Sequence, residues 1–254
     1  MSAYDAAMLV VLVFAGIAAG WINTVAGGGS MLTVPALMWC GLPVDLANGT
    51  SRIAILAQGV TAVAGFRRHN TLDDTRLLTE IAVPNVVGAV IGAFVATLIP
   101  NAVFKPILIG ALLLMAFSLF LKPESFLPPE GSVPLRPSQR PSAVLALLFS
   151  GFYGGFLQAG VGFVLLAVFA GMLRIDLVRG NGLKVAVVFV YSVVVVLVFA
   201  ARSRVDYAYG ALLALGQVVG AEAGVRFSVK RGQGAIKKVV FVMIIVSGVS
   251  LFFR

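Results

Sequence analysis

The sequence lacks the parts from which a catalytic or metal centre is usually built. Of its 254 residues one is a cysteine, one a histidine and only ten are acids. A single cysteine, Cys40, excludes an intrachain disulfide and any C-x-x-C metal or redox site; it reads as a small apolar filler. His69 lies in a basic, polar loop. The acids embedded in apolar runs are not paired. An intramembrane protease needs a nucleophile with a base, or paired acids, or metal ligands, and the sequence supplies none of these sets. No nucleotide-binding loop appears either: the one triple glycine follows no strand and lacks the G-x-G-x-x-G spacing. Neither an enzyme nor a resident cofactor is expected. The opening "MSAYDAAMLV" has no basic n-region, so no cleaved signal peptide is expected.

Charge is scarce as well. Only 11% of residues are charged and 60% are hydrophobic, with a mean hydropathy of +1.03. A soluble domain of this length has too little interior to hide that much apolar side chain. Runs near the ~20 residues that cross a bilayer are Ala6–Trp21, Val44–Phe66, Ile81–Ile99, Val103–Leu121, Leu183–Ala201, Tyr207–Phe227 and Val239–Phe253; Ala143–Met172 is another, interrupted by glycines. The fold class expected is an all-α polytopic membrane protein. The net charge of +9 comes mostly from Lys and Arg between those runs, where they act as topology signals, so nucleic acid is not expected as a partner.

The chain reads as written twice. An offset of 133 residues lays "VDLANGTSRIAI" (44–55) over "LVRGNGLKVAVV" (177–188), setting Asn48 on Asn181 and Gly49 on Gly182. The same offset sets Gly27 on Gly160 and Gly29 on Gly162. This predicts an N-terminal transmembrane repeat over 1–121, a Pro-rich polar linker over 122–142 and a C-terminal repeat over 143–254. Each repeat has about three full spans plus a glycine-broken helical hairpin. The first half divides into apolar pieces at 5–26, 29–40, 44–66, 77–99 and 103–121. Basic residues bear on the relative orientation, although Arg202 and Arg204 oppose the larger clusters and leave a parallel arrangement as the alternative. Arg67 and Arg68 follow the third piece of the first half, whereas Arg226, Lys230, Arg231, Lys237 and Lys238 follow the fourth piece of the second. If both clusters are cytoplasmic the repeats are inverted and the termini face outward.

The most informative stretch is "WINTVAGGGSMLTVPALMWCG" (21–41). In lipid an unpaired backbone group costs several kcal/mol, so a helix broken by Gly27, Gly28 and Gly29 has to lie beside protein or water. Asn23 and Thr24 precede the break. Ser30 follows it and can cap a new helix, whose N–H groups and dipole suit an anion. The second copy, "QAGVGFVLL", keeps Gly160 and Gly162 and adds Gln158. Paired breaks in two repeats mark a transporter's binding site. The other paired feature is "NGTSR" over "NGLKV": Asn48, Thr50, Ser51 and Arg52 in the first half, Asn181 and Lys184 in the second. Arg52 and Lys184 each sit about two turns into an apolar helix, a placement that calls for a counter-charge, a bound anion or snorkelling. Gly88, Gly92, Gly220 and Gly224 read as helix-packing glycines. Gln58 and Gln217 can bridge helices, and Asn85 can mend the kink at Pro84. Glu222 pairs with Arg226 at i,i+4 or, in the sharper reading, carries a coupling proton.

At "GWINTVAGGGSMLTVPAL" followed by "ANGTSR" the chain resembles the TauE/SafE family of sulfite and organosulfonate exporters, over both halves. The resemblance implies a multi-pass inner-membrane protein that moves sulfur oxyanions or related small organic anions. The second half departs from the pattern: Val168 stands at the place of Pro35, and Leu183-Lys184 at that of Thr50-Ser51. The expected function is a secondary transporter, in the direction of export, of a small anion such as sulfite or an organosulfonate. An anion channel, a carboxylate carrier and a non-transporting assembly factor are the alternatives. The partners expected are the anion, the lipid bilayer and H+ or Na+ as coupling ion, with a homodimer left open.

Overall fold

The computed structural model describes residues 3–121 and 133–250. The first part of the expected linker, 122–132, and the end of the expected last span, 251–253, lie outside these. The described residues form nine α-helices, with no strand among them. In order they are α1 Ala3–Val25, α2 Ser30–Trp39, α3 Val44–Arg68, α4 Thr75–Leu98, α5 Asn101–Leu121, α6 Pro141–Phe156, α7 Val161–Gly171, α8 Leu177–Ala201 and α9 Tyr207–Ser250. A 3-10 turn, Pro137–Gln139, precedes α6. Helix α9 is broken at Gly232, where φ is 68°. Among the described residues four helices are long and apolar enough to cross a membrane: Met8–Val25, Thr75–Leu98, Leu177–Ala201 and Tyr207–Gly232. Helix α3 has the length, with 25 residues, but carries the polar segment Asn48–Arg52 on its buried side.

The expected boundaries of the first half agree with these helices to within a few residues. In the second half α8 begins six residues earlier than the apolar run that starts at Leu183. The cause is local: Asp176 accepts hydrogen bonds from the Val178 and Arg179 N–H groups, both at 3.0 Å, and so caps a helix whose first turns hold Arg179 and Asn181.

Close approaches of glycine set the helix directions. Along α1 and α9 residue numbers rise together: Gly16 meets Leu213, Gly20 meets Gln217, and Gly224 meets Trp21 and Thr24. Helices α1 and α9 are therefore parallel. So are α4 and α6, where Gly88 meets Leu148, Gly151 meets Asn85 and Gly155 meets Ala89. Small residues four apart let these backbones touch, the usual device of helices in lipid. That is the packing role read in the sequence for Gly88, Gly92, Gly220 and Gly224. Helices α3 and α8 run the opposite way to each other. Gly49, near the start of α3, meets Arg204 beyond the end of α8; Gly59 meets Phe189; Gly182, near the start of α8, meets Thr71 beyond the end of α3.

Burial is distributed as in a membrane protein. Phe14, Leu98, Phe149, Leu197 and Leu215 face outward, each more than half exposed. The centre holds Asn48, Thr50, Ser51, Arg52, Gln58, Asn181 and Lys184, all buried. Asn85 Nδ2 donates to the Ile81 carbonyl at 2.9 Å, next to the carbonyl that Pro84, lacking an N–H, leaves unserved.

Candidate functional site

The two helix breaks meet. Helix α1 stops at Val25, and Gly27, with φ 95°, turns the chain into α2. Helix α6 stops at Phe156; Gln158 (φ 63°) and Gly160 (φ 75°) turn the chain into α7. Only glycine takes such angles without strain, so Gln158 is held there at a cost. A Cβ placed on Gly27 would stand 2.5 Å from Gly162 Cα, and one on Gly162 would stand 2.3 Å from Gly27 Cα. The main chains are thus in contact, and no larger residue fits on either side. Ser30 joins the loops through its hydroxyl. Ser30 Oγ donates to the Gln158 carbonyl at 3.1 Å and accepts from the Gly160 N–H at 3.2 Å. From Thr24 through Ser30 and from Gly154 through Gly162 the residues are buried.

The broken helices leave carbonyls at the ends of α1 and α6 and N–H groups at the starts of α2 and α7. The carbonyls are claimed by side chains from α3 and α8. Arg52, on α3, donates from Nη1 to the Gly154 carbonyl at 2.8 Å and from Nη2 to the Gly155 carbonyl at 2.7 Å. Asn48 Nδ2 donates to the Phe156 carbonyl at 3.0 Å. On α8 the arrangement recurs: Lys184 Nζ donates to the Thr24 carbonyl at 3.1 Å, and Asn181 Nδ2 to the Val25 carbonyl at 2.7 Å. Each cation also binds its own asparagine, Arg52 to Asn48 Oδ1 at 3.3 Å and Lys184 to Asn181 Oδ1 at 2.7 Å. The Arg52 guanidinium lies over the Phe199 ring, 4.8 Å from its centroid.

This answers a question the sequence left open. The burial of Arg52 and Lys184 is compensated by the carbonyl ends of α6 and α1, each worth about half a negative charge. Neither snorkels. A protonated Arg52 or Lys184 outweighs that half charge and gives its break a positive balance. The starts of α2 and α7 add to it. Among the described residues the N–H groups of Gly28, Gly29 and Ser30 make no hydrogen bond within the protein, and neither does that of Gly162.

Other predicted residues hold the surroundings. Asn23 Nδ2 donates to Gln58 Oε1 at 3.1 Å, and Gln58 Nε2 donates to Thr24 Oγ1 at 3.4 Å, so Gln58 does bridge α1 and α3. Thr50 Oγ1 accepts from the Asp206 N–H at 2.9 Å, and Ser51 Oγ donates within its own helix to the Asn48 carbonyl. Both hydroxyls are thereby engaged away from the two loops. Glu222 is not brought to the breaks. It pairs with Arg226 at 2.9 Å, its side chain 40% exposed, which is the i,i+4 pair weighed in the sequence.

Two features were not anticipated. Phe163, at the position that matches Ser30, lays its ring on Gly28; a Cβ there would be 2.4 Å from Phe163 Cε2. Tyr191, which the 133-residue offset sets on Gln58, is fully buried against Gly154. A cavity of about 10 Å³ lies beside Gly162, with Asn23, Gln58 and Lys184 in its wall. It has room for one water at most, so the centre is closed. A larger groove, of about 530 Å³, runs between α1 and α9 past Trp21 and Val219. Its wall is apolar apart from Lys238, and it holds none of the predicted residues.

Comparison with known proteins places the chain among membrane transporters by sequence. A "Probable membrane transporter protein ORF9" of Sinorhizobium sp is 28% identical over 96% of this chain and 92% of its own length. A "Probable membrane transporter protein" of Haemophilus influenzae is 26% identical over 93% of this chain and 91% of its own. The "Probable membrane transporter protein YfcA" of Escherichia coli is 26% identical over 97% and 90%. No solved structure matches the chain. The family model of the sulfite exporter TauE/SafE matches residues 12–251, and the chain belongs to that family.

Proposed function

We propose that this chain is a secondary transporter that exports a small oxyanion, sulfite or an organosulfonate, across the cytoplasmic membrane. The observation that carries the reading is the contact of the two glycine breaks at Gly27 and Gly162. Around that contact lie unclaimed N–H groups from Gly28, Gly29, Ser30 and Gly162 and a positive balance of charge. The anion binds there, its oxygens held by those N–H groups and by Gln158. Lys184 and the Nη groups of Arg52 act through potential, since their hydrogen bonds go to helix ends and asparagines. The family and the names of its relatives support transport; the choice of sulfite and the direction of export are this reading's own.

The architecture proposed is a pair of inverted repeats, 1–121 and 143–254. The parallel pairs α1·α9 and α4·α6 and the antiparallel α3·α8 are what a two-fold axis in the membrane plane produces when α1 matches α6, α3 matches α8 and α4 matches α9. Arg67, Arg136 and Arg179 gather near Asp74 or in its loop, with Arg136 at 2.9 Å and Arg179 at 3.5 Å from Asp74 Oδ2. This side is the cytoplasmic one by the positive-inside rule. The Arg202–Arg204 loop, tied to Asp45, then faces outward. Alternating access moves one repeat against the other about the fixed breaks, driven by the anion's own gradient or by H+ or Na+. A closed centre favours a carrier over an open pore.

The test is a thermal-shift screen of the purified protein against sulfite, sulfate, thiosulfate, methanesulfonate and acetate. Mass action raises the melting temperature with a ligand of the folded state, by an amount that grows with concentration over Kd. Selective stabilisation by a sulfur oxyanion is expected. Equal, negligible shifts with all five anions contradict the reading.

A further inference from the structure

Several buried polar atoms have no hydrogen-bond partner in the protein; four of them are on Tyr191 and Arg52, which both reach Gly154 of α6, and on Gln158, just beyond the end of that helix. Tyr191 is 0% exposed and its Oη is unpartnered. A Cβ on Gly154 would stand 2.7 Å from that oxygen, so the glycine leaves the room the hydroxyl occupies. Arg52 reaches the same residue through its Nη1 bond to the Gly154 carbonyl, and its Nε is unpartnered. One turn further on, Gln158 is 1% exposed, with both its amide oxygen and its nitrogen unpartnered.

Burying a hydroxyl without a partner is unfavourable, and phenylalanine fills the same volume without that penalty. Keeping a tyrosine hydroxyl, an arginine Nε–H and a glutamine amide unengaged along the stretch Gly154–Gln158 is expected where a ligand completes them. On the opposite side of the centre the matching position is Gln58, whose amide is satisfied by Asn23 and Thr24. Of these two matched positions, only Tyr191 is left in demand of a partner.

We infer that Tyr191 Oη, Arg52 Nε and Gln158 Nε2 are hydrogen-bond donors to the transported oxyanion, forming a binding subsite at the end of α6 that makes the two halves unequal. The inference rests on the anion reading of the central site. It adds Tyr191, a residue no motif picked out, and assigns Arg52 a direct contact besides its hold on α6. Gln158 offers an acceptor too, which suits an oxyanion carrying one proton, such as hydrogensulfite.

The experiment is anion titration, followed by thermal shift and by calorimetry, on the full-length chain with Tyr191→Phe, Gln158→Met and, as control, Ser192→Ala. Ser192 Oγ is also buried and unpartnered but belongs to the neighbouring position on α8. The probes are sulfite and methanesulfonate. Tyr191→Phe is expected to melt at the wild-type temperature or above without anion, and to bind sulfite at least about tenfold more weakly, as for loss of a hydrogen bond to a charged group. Ser192→Ala is expected to bind like wild type. Wild-type affinity in Tyr191→Phe overturns this inference alone. So does a clear drop in its melting temperature without anion, which would make the hydroxyl structural, or equal weakening by Ser192→Ala. A wild-type protein that binds neither probe overturns the anion reading and this inference together.

Discussion

Gly27 and Gly162, on loops from opposite halves of the chain, touch main chain to main chain. Neither has room for a methyl group, because what it would strike is backbone, which cannot swing aside. Gly162→Ala is therefore expected to force the loops apart and to lower stability by about 1–3 kcal/mol, as overpacking does, with loss of transport. Gly110→Ala is the control, since nothing lies within 4 Å of a Cβ there. Melting temperature and flux of the two variants check this; equal behaviour refutes the contact.

The reciprocal caps give a second expectation. Lys184→Gln keeps a polar donor but removes the charge that faces the end of α1. Thr24 then has a buried carbonyl with a poorer partner or none, at about 1–3 kcal/mol. Lys184→Arg retains the charge and should recover part of the loss. Chemical denaturation in detergent, with all three proteins compared, reads the difference.

Asp74 supplies a pH dependence. The Leu77 N–H bonded to its carboxylate, and the nearby Arg136 and Arg179, hold its pKa below the usual carboxylate value. A lowered folded pKa means that its stabilisation is fully present above the unfolded value, about 3.9, and is lost as pH falls through the folded value. Melting temperature measured from pH 6 down to pH 2.5 should fall less steeply below pH 4 in Asp74→Asn than in wild type. Asparagine still caps α4, so the contrast isolates the charge.

Sidedness is open to labelling. In a Cys40→Ser background, Ser203→Cys lies in the outward loop of the proposed topology, and Asn70→Cys and Ser138→Cys lie on the basic side. All three sites are exposed. A membrane-impermeant maleimide added to intact cells should label the first alone. Labelling of Asn70→Cys from outside reverses the proposed orientation.

Much of this was legible in the sequence, and the part that was not has a physical cause. Apolar length and glycine punctuation located α1 through α5 to within a few residues, because lipid rewards long apolar runs and punishes broken ones. The 133-residue offset found Asn48 with Asn181 and both glycine breaks. It did not reveal that Arg52 serves α6 and Lys184 serves α1. Such an offset tells which residues correspond, not which surfaces meet, and these contacts join positions more than a hundred residues apart. The apolar run alone begins at Leu183, because Arg179 and Asn181 look unlike a membrane helix; the repeat, which sets Lys184 about two turns into its helix, points to the earlier start that Asp176 caps. Tyr191 stands in a run of valines with no motif around it. Only its match to Gln58 could have drawn notice.

The most direct test of the account is uptake of labelled sulfite into proteoliposomes, wild type against the Arg52→Gln/Lys184→Gln double variant. Saturable uptake by the wild type and a loss of at least about tenfold in the variant are predicted, since both the positive balance at the breaks and a direct donor are removed. Undiminished uptake by the double variant would contradict it.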